Sequence, residues 1–144
     1  ERYQIEQSLI AIGSGGIYGK GFMQGTQNRY QFLPESRTDC IFSVIAEELG
    51  FIGVVTVILI YIILALYLFH QTADVAFPYM QALAAGLIAH IMISAFINMG
   101  MVMGLLPMVG IPLPLISYGV SNVWITYASL GWLASIARQR TTRR

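Results

Sequence analysis

Asp39 is the residue in this 144-residue sequence whose type and setting best fit chemistry. It follows Thr38 and precedes an apolar run, Cys40-Ile41-Phe42. An ionised carboxylate in such a place can take the proton from an attacking hydroxyl as the new bond forms. A structural reading stands beside this one. Ser36 with Asp39 three residues on approximates a capping box, in which Glu or Gln is preferred at the second position, so Asp39 also reads as a helix start. The readings are compatible, because a carboxylate on a first helical turn is held rigidly by its own backbone. On that helix Ser43, Ala46 and Gly50 share its face, and small residues beside a carboxylate leave room for a substrate. Glu47 lies about 80° away and Glu48 nearly opposite, so both read as interfacial or helix-pairing charges rather than a second catalytic acid.

Three other groups of residues need reasons. Gly13, Gly15, Gly16, Gly19, Gly21 and Gly25 surround Lys20 in a phosphate-loop-like run. The spacing is not that of a Walker motif, and no Ser or Thr follows the lysine. The run reads either as a flexible loop at a membrane surface or as backbone N–H groups and Lys20 receiving an anionic head group. Gly86, His90, Ser94 and Asn98 are each four apart, hence one helix face. Inside a bilayer such a polar stripe faces the bundle interior, and His90 would relay protons only with a partner carboxylate, which this chain lacks at matching depth. Gly100 and Gly104 have GxxxG spacing, a weak signal for close helix approach. Between Gly104 and Gly119, three prolines and three glycines in sixteen otherwise apolar residues rule out a regular helix. Broken backbone at membrane depth requires cover by protein or a water-filled cavity, so this is a buried connection or a re-entrant loop.

Composition supplies the elements that must hold these residues. The chain is 56% hydrophobic and 10% charged, against about 25% charged in soluble domains. Between Gly50 and Ala137 the one formal charge is Asp74. The expected fold is an all-α membrane protein, with residues 1–50 forming a Gly-rich extracytoplasmic loop that carries Asp39 and the start of a helix. Residues 51–144 hold three transmembrane helices, at Phe51–Phe69, about Pro78–Gly104 and about Tyr118–Ala137. An irregular segment falls at 105–117, and a basic tail closes the chain. Arg138, Arg140, Arg143 and Arg144 put that tail in the cytoplasm and residues 1–48 outside. The net charge of +1 points to no nucleic-acid partner, and a lone Cys40 excludes an intrachain disulfide and a multi-cysteine metal site. The opening Glu-Arg-Tyr-Gln-Ile-Glu is no signal peptide and reads as a chain cut from something longer.

These segments, in this order, resemble the SEDS polymerases, the RodA/FtsW/SpoVE family. Gln7-Ser8, Gly13-Ser14-Gly15-Gly16 and Gly19-Lys20-Gly21 match the start of the family's large extracytoplasmic loop. Gly25-Thr26-Gln27 and Phe32-Leu33-Pro34-Glu35 lean toward the RodA branch rather than FtsW. Thr38-Asp39, Ile41-Phe42 and Ala46-Glu47-Glu48-Leu49-Gly50 match its most characteristic stretch. The closing signature is met by Asn98-x-Gly-Met-Val-x-Gly-x-Leu-Pro and Gly110-x-Pro-Leu-Pro-x-x-Ser-Tyr-Gly119. The resemblance covers essentially the whole chain. Three departures are Arg37 where the family usually has His, Cys40 where it has Phe, and Val120 where it has a second glycine. The first two flank Asp39 and bear on its fit, and Val120 puts close backbone packing there in question.

The resemblance implies a bacterial inner-membrane, multi-pass protein of about ten helices, of which this chain is the C-terminal part and by itself inactive. It implies a peptidoglycan glycosyltransferase that polymerises lipid II into glycan strands for cell elongation and shape, releasing undecaprenyl diphosphate. Asp39 would activate the acceptor hydroxyl as general base, and a class B penicillin-binding protein would be the partner. Lys20, Arg37, Ser117, Tyr118, Gly119 and Ser121 become candidate substrate-binding residues. No metal site is assigned, with a divalent cation the one cofactor left open. The competing functions are a transporter of lipid-linked precursors, for which a broken helix lining a polar cavity is equally natural, and a structural partner of a transpeptidase.

Overall fold

The computed structural model describes residues 2–21, 39–75 and 77–141. All regular structure among them is helical: α1 (Arg2–Gly15), α2 (Ile41–Thr72), α3 (Pro78–Val102) and α4 (Val120–Thr141). α2 and α3 are long and apolar enough to cross a membrane. At 1.5 Å per residue, the 25 residues of α3 reach about 38 Å, beyond the roughly 30 Å of hydrocarbon. Their outer surfaces are apolar and unburied, with Leu66 66% and Phe96 74% exposed, as expected of surface that meets lipid rather than water.

The turn between these helices follows from its residues. Thr72 closes α2 by donating its hydroxyl to the Leu68 carbonyl at 2.9 Å. Extended Phe77 precedes Pro78 at the first helical position, where the missing N–H is no loss. Gln81 reaches back from α3 and donates to the carbonyls of Ala73 and Val75, both at 2.9 Å. Two clusters hold the layers together. Phe42, Val57 and Tyr61 of α2 pack with Ala95, Met99 and Val102 of α3 and with Leu113. Ala84, Ile88 and Ile91 on α3 pack with Leu133 and Ile136 of α4. Leu68 of α2 also packs against this second cluster, so α2, α3 and α4 meet pairwise.

Residues 2–15 are helical where a Gly-rich loop is expected. Ser8 and Ala11 are completely buried, and α1 lies along the beginning of α2. Packing of that face outweighs the helix penalty of Gly13 and Gly15. The remaining glycines do form a loop, with a defined task. α2 is not continuous: Gly50 has φ 66° and ψ −159°. Its break separates the carbonyls of Glu47 and Glu48 from the N–H groups of Phe51 and Ile52, their usual i+4 donors. The loop replaces both sets. Lys20 N and Gly21 N donate to the Glu47 and Glu48 carbonyls at 3.0 and 3.1 Å, while Phe51 N and Ile52 N donate to the Gly16 and Ile17 carbonyls at 2.9 and 3.3 Å. The two backbones are so close that a Cβ on Gly50 would stand 2.3 Å from Gly19 N, and one on Gly19 2.1 Å from the Glu48 carbonyl oxygen.

The Pro/Gly segment is irregular as expected, with no helix from residue 103 to 119. α3 ends at Val102, and the chain turns away at Gly104, whose φ of 72° only glycine adopts freely. Leu105 N and Leu106 N turn back onto the Gly100 carbonyl at 2.9 and 3.2 Å. A Cβ on Gly100 would meet Leu106 Cδ1 at 2.9 Å. Gly100 of the GxxxG pair thus serves the chain's own reversal, while Gly104 faces another helix, a Cβ there standing 3.5 Å from the Ile5 and Leu9 side chains of α1. Leu113 and Pro114 are buried, and Tyr61 of α2 donates its hydroxyl to the Pro114 carbonyl. Protein covers this part of the broken backbone.

Candidate active site

Asp39 stands two residues before α2. Cys40 is the N-cap and makes no side-chain capping bond, so the helix starts later than the Ser36–Asp39 pattern suggests. Ser36 itself lies outside the described residues. The turn is fixed from within and without. Ser43 donates its hydroxyl to the Cys40 carbonyl at 2.7 Å, and Ser8 of α1 donates to the buried Cys40 Sγ at 3.8 Å. A larger aromatic at position 40 would have to displace that contact.

Two further elements reach Asp39. Its Oδ2 lies 3.3 Å from where a Cβ on Gly110 would stand, and Gly110 has φ 71°. The irregular segment therefore passes directly beside the carboxylate, at a residue with no side chain. Asn98, on the last turns of α3, is completely buried. Its Nδ2 donates to the Asp39 carbonyl at 2.9 Å and to the Ile111 carbonyl at 2.8 Å. The start of α2, the end of α3 and the segment after it thus converge on a half-buried aspartate. Of the stripe on α3, Asn98 is buried and Ser94 partly so, its hydroxyl donating to the His90 carbonyl at 2.8 Å. His90 and Gly86 are exposed.

The other candidates fall elsewhere. Lys20 forms an ion pair with Glu47, Nζ to Oε1 2.8 Å, with Lys20 30% exposed and Glu47 fully buried. Glu47 therefore pairs with the loop after α1 rather than with a helix, and the contact turns Lys20 toward α2. Ser117 is buried and works on its own segment: its hydroxyl accepts from Leu113 N at 2.8 Å, and its N–H donates to the Leu113 carbonyl at 3.0 Å. Gly119 is half-buried and its carbonyl accepts from Val123 N at 2.9 Å, at the start of α4. Tyr118 and Ser121 are exposed. Arg37 lies outside the described residues. Val120 opens α4 and is 67% exposed, so its extra bulk meets no crowding among the described residues. Among those residues no three His, Cys, Asp or Glu side chains gather as a metal site would require. Sequence reasoning missed the link from Asn98 to Asp39. A buried amide must find partners, but the stripe gives its face and not their identity.

Comparison with known proteins gives the family of the chain. The model of the FTSW_RODA_SPOVE family, described as cell cycle protein, matches residues 1–142. The chain is 45% identical over 138 residues to the peptidoglycan glycosyltransferase MrdB of Escherichia coli K12, covering 96% of this chain and 37% of that protein. It is 43% identical over 138 residues to the peptidoglycan glycosyltransferase RodA of Treponema pallidum, covering 95% and 32%. The stage V sporulation protein E of Bacillus subtilis is 39% identical over 136 residues, covering 94% and 37%. Among solved structures, a chain of a peptidoglycan synthase complex studied for its coordination of polymerization and crosslinking superposes with a TM-score of 0.78 at 28% identity, over 95% of this chain and 37% of that one. An aspartate-to-alanine variant of the Thermus thermophilus rod shape determining protein RodA superposes with a TM-score of 0.70 at 32% identity, over 92% and 40%. This chain spans about a third of the length of the relatives it matches. It belongs to the FtsW/RodA/SpoVE family.

Proposed function

We propose that this chain supplies the catalytic carboxylate of a peptidoglycan glycosyltransferase that joins lipid II into glycan strands, and that Asp39 is its general base. The observation that carries the reading is the setting of Asp39. Three elements meet there, the residue is half-buried rather than enclosed, and the backbone at Oδ2 is a glycine. A carboxylate so placed can accept a hydrogen bond from an acceptor sugar hydroxyl and take its proton as the glycosidic bond forms, while undecaprenyl diphosphate leaves the donor. The names of the relatives, peptidoglycan glycosyltransferases, support the same reaction class. A flippase or a scaffold for a transpeptidase has no evident need of that carboxylate.

Activity belongs to the whole protein, with the helices outside this chain completing the cavity and a class B penicillin-binding protein as partner. Lys20, Arg37, Ser117, Tyr118, Gly119 and Ser121 are the substrate-binding candidates. α4, at 22 residues or about 33 Å, is the third membrane span, leading to a cytoplasmic C-terminus.

Asp39→Asn in the full-length protein with its partner is the test, read by polymerisation of fluorescent lipid II. Asparagine keeps the shape and removes the base, which contributes roughly 10²–10⁴ in rate. The variant should express and assemble normally yet make no polymer. Near-normal polymerisation by a well-assembled variant would return Asp39 to a structural part.

A further inference from the structure

Asn98 is the polar group at the site that the proposed chemistry does not use. Its placement is demanding. The residue is completely buried near the end of α3. It joins two stretches far apart in sequence, Asp39 and Ile111, through their main-chain carbonyls at 2.9 and 2.8 Å. A carbonyl oxygen can only accept, so two carbonyls at these distances require the amide nitrogen to face them. Asn98 Oδ1 is then turned away, buried and without a hydrogen-bond partner among the described residues. Leaving a buried acceptor unmatched costs about 1–3 kcal/mol, and an apolar side chain of this size would carry no such penalty. The two-pronged donor is what an apolar residue could not supply.

What the donor holds is the backbone under the proposed base. Asp39 lies outside the regular hydrogen bonding of α2, and Gly110, beside Oδ2, immediately precedes Ile111. Asn98 thus fixes both sides of the gap in which the carboxylate stands. We propose that Asn98 is a positioning residue for Asp39: it sets the distance between the carboxylate and the 110–111 backbone, and so the placement of the acceptor hydroxyl. The inference rests on Asp39 being the general base.

The test uses the full-length protein with its penicillin-binding partner and measures kcat and KM for fluorescent lipid II in three variants. Asn98→Asp keeps the shape and turns the donor into an acceptor facing two carbonyls. Its kcat should fall about 100-fold, the loss expected from misplacing a reacting group by about 1 Å, while KM stays within threefold of the parent. Asn98→Gln keeps an amide donor on a longer stem and should recover a clear part of that loss. Asn98→Ala, which has no donor, should not. A purely structural staple would lower the amount of assembled protein and leave kcat per assembled molecule unchanged, and that result would overturn the proposal. Should Asn98→Asp fail to assemble, equal kcat in Asn98→Gln and Asn98→Ala would overturn it as well. Asp39→Asn measured alongside separates the two ideas. Polymerisation by that variant removes the base and with it the positioning role; an inactive Asp39→Asn with a fully active Asn98→Asp removes the positioning role alone.

Discussion

Lys20 and Glu47 show how unequal the two ends of one ion pair can be. Glu47 is fully buried, whereas Lys20 keeps 30% of its side chain exposed. Removing the lysine head strips a close counter-charge from a carboxylate that cannot reach water. Removing the carboxylate charge leaves a lysine that can swing out to solvent. Lys20→Met should therefore lower stability by roughly 3 kcal/mol and Glu47→Gln by markedly less. Thermal unfolding of the two variants in the same detergent measures the order, and equal losses would mean that the pair is not held as described. At this scale the sequence was legible in types and not in partners. Asp39 stands out from its neighbours alone. Its tie to Asn98, 59 residues away, has no local signal, because a helical stripe gives direction and not distance.

The elements were legible where the chain itself forbids an alternative. Pro107, Pro112 and Pro114 deny a helix to the segment after α3, and none forms. Residues 2–15 of the Gly-rich arm carry no local signal of their helix, because burial of Ser8 and Ala11 is a tertiary fact that local propensity does not contain. The break in α2 was equally silent: Gly50 in an apolar run reads as an ordinary small residue. Its role appears only with Gly19 against it. Gly50→Ala would place a Cβ 2.3 Å from Gly19 N in a backbone conformation that L residues rarely adopt. The expected outcome is loss of the junction, at a cost above about 3 kcal/mol. Hydrogen exchange should show it first at the amides of Lys20 and Gly21, which donate across the break. Unchanged protection there would mean that the junction survives the substitution.

The molecule as a whole is a bacterial membrane protein of this family, with α2 and α3 long and apolar enough to cross. Its orientation is argued from charge: four arginines follow within seven residues of Ala137, and such clusters stay in the cytoplasm. With Cys40 replaced by Ser, a cysteine introduced at Asn28 should react with a membrane-impermeant thiol reagent in intact spheroplasts, and one at Thr142 should not. The reverse pattern would invert the assignment. Composition was enough to identify the solvent, because a stretch from Gly50 to Ala137 with one charge cannot be surrounded by water. It did not give the packing, in which α2, α3 and α4 meet pairwise.

The junction at Gly50 also bears on how the protein is assembled during synthesis. A helix over 41–72 standing alone would bond Phe51 N to the Glu47 carbonyl and Ile52 N to the Glu48 carbonyl, as any uninterrupted helix does. Docking of residues 16–21 exchanges those two bonds for four. The bend is thus expected to form when the arm docks rather than in the isolated span. A peptide of residues 39–75 in micelles should accordingly give the nuclear Overhauser pattern of one unbroken helix through Gly50, and a bend in the isolated peptide would refute this. During biosynthesis the span would enter the membrane straight. It would then be refashioned at its N-terminal end by a segment translated before it, so the surroundings of Asp39 would mature only after insertion is complete.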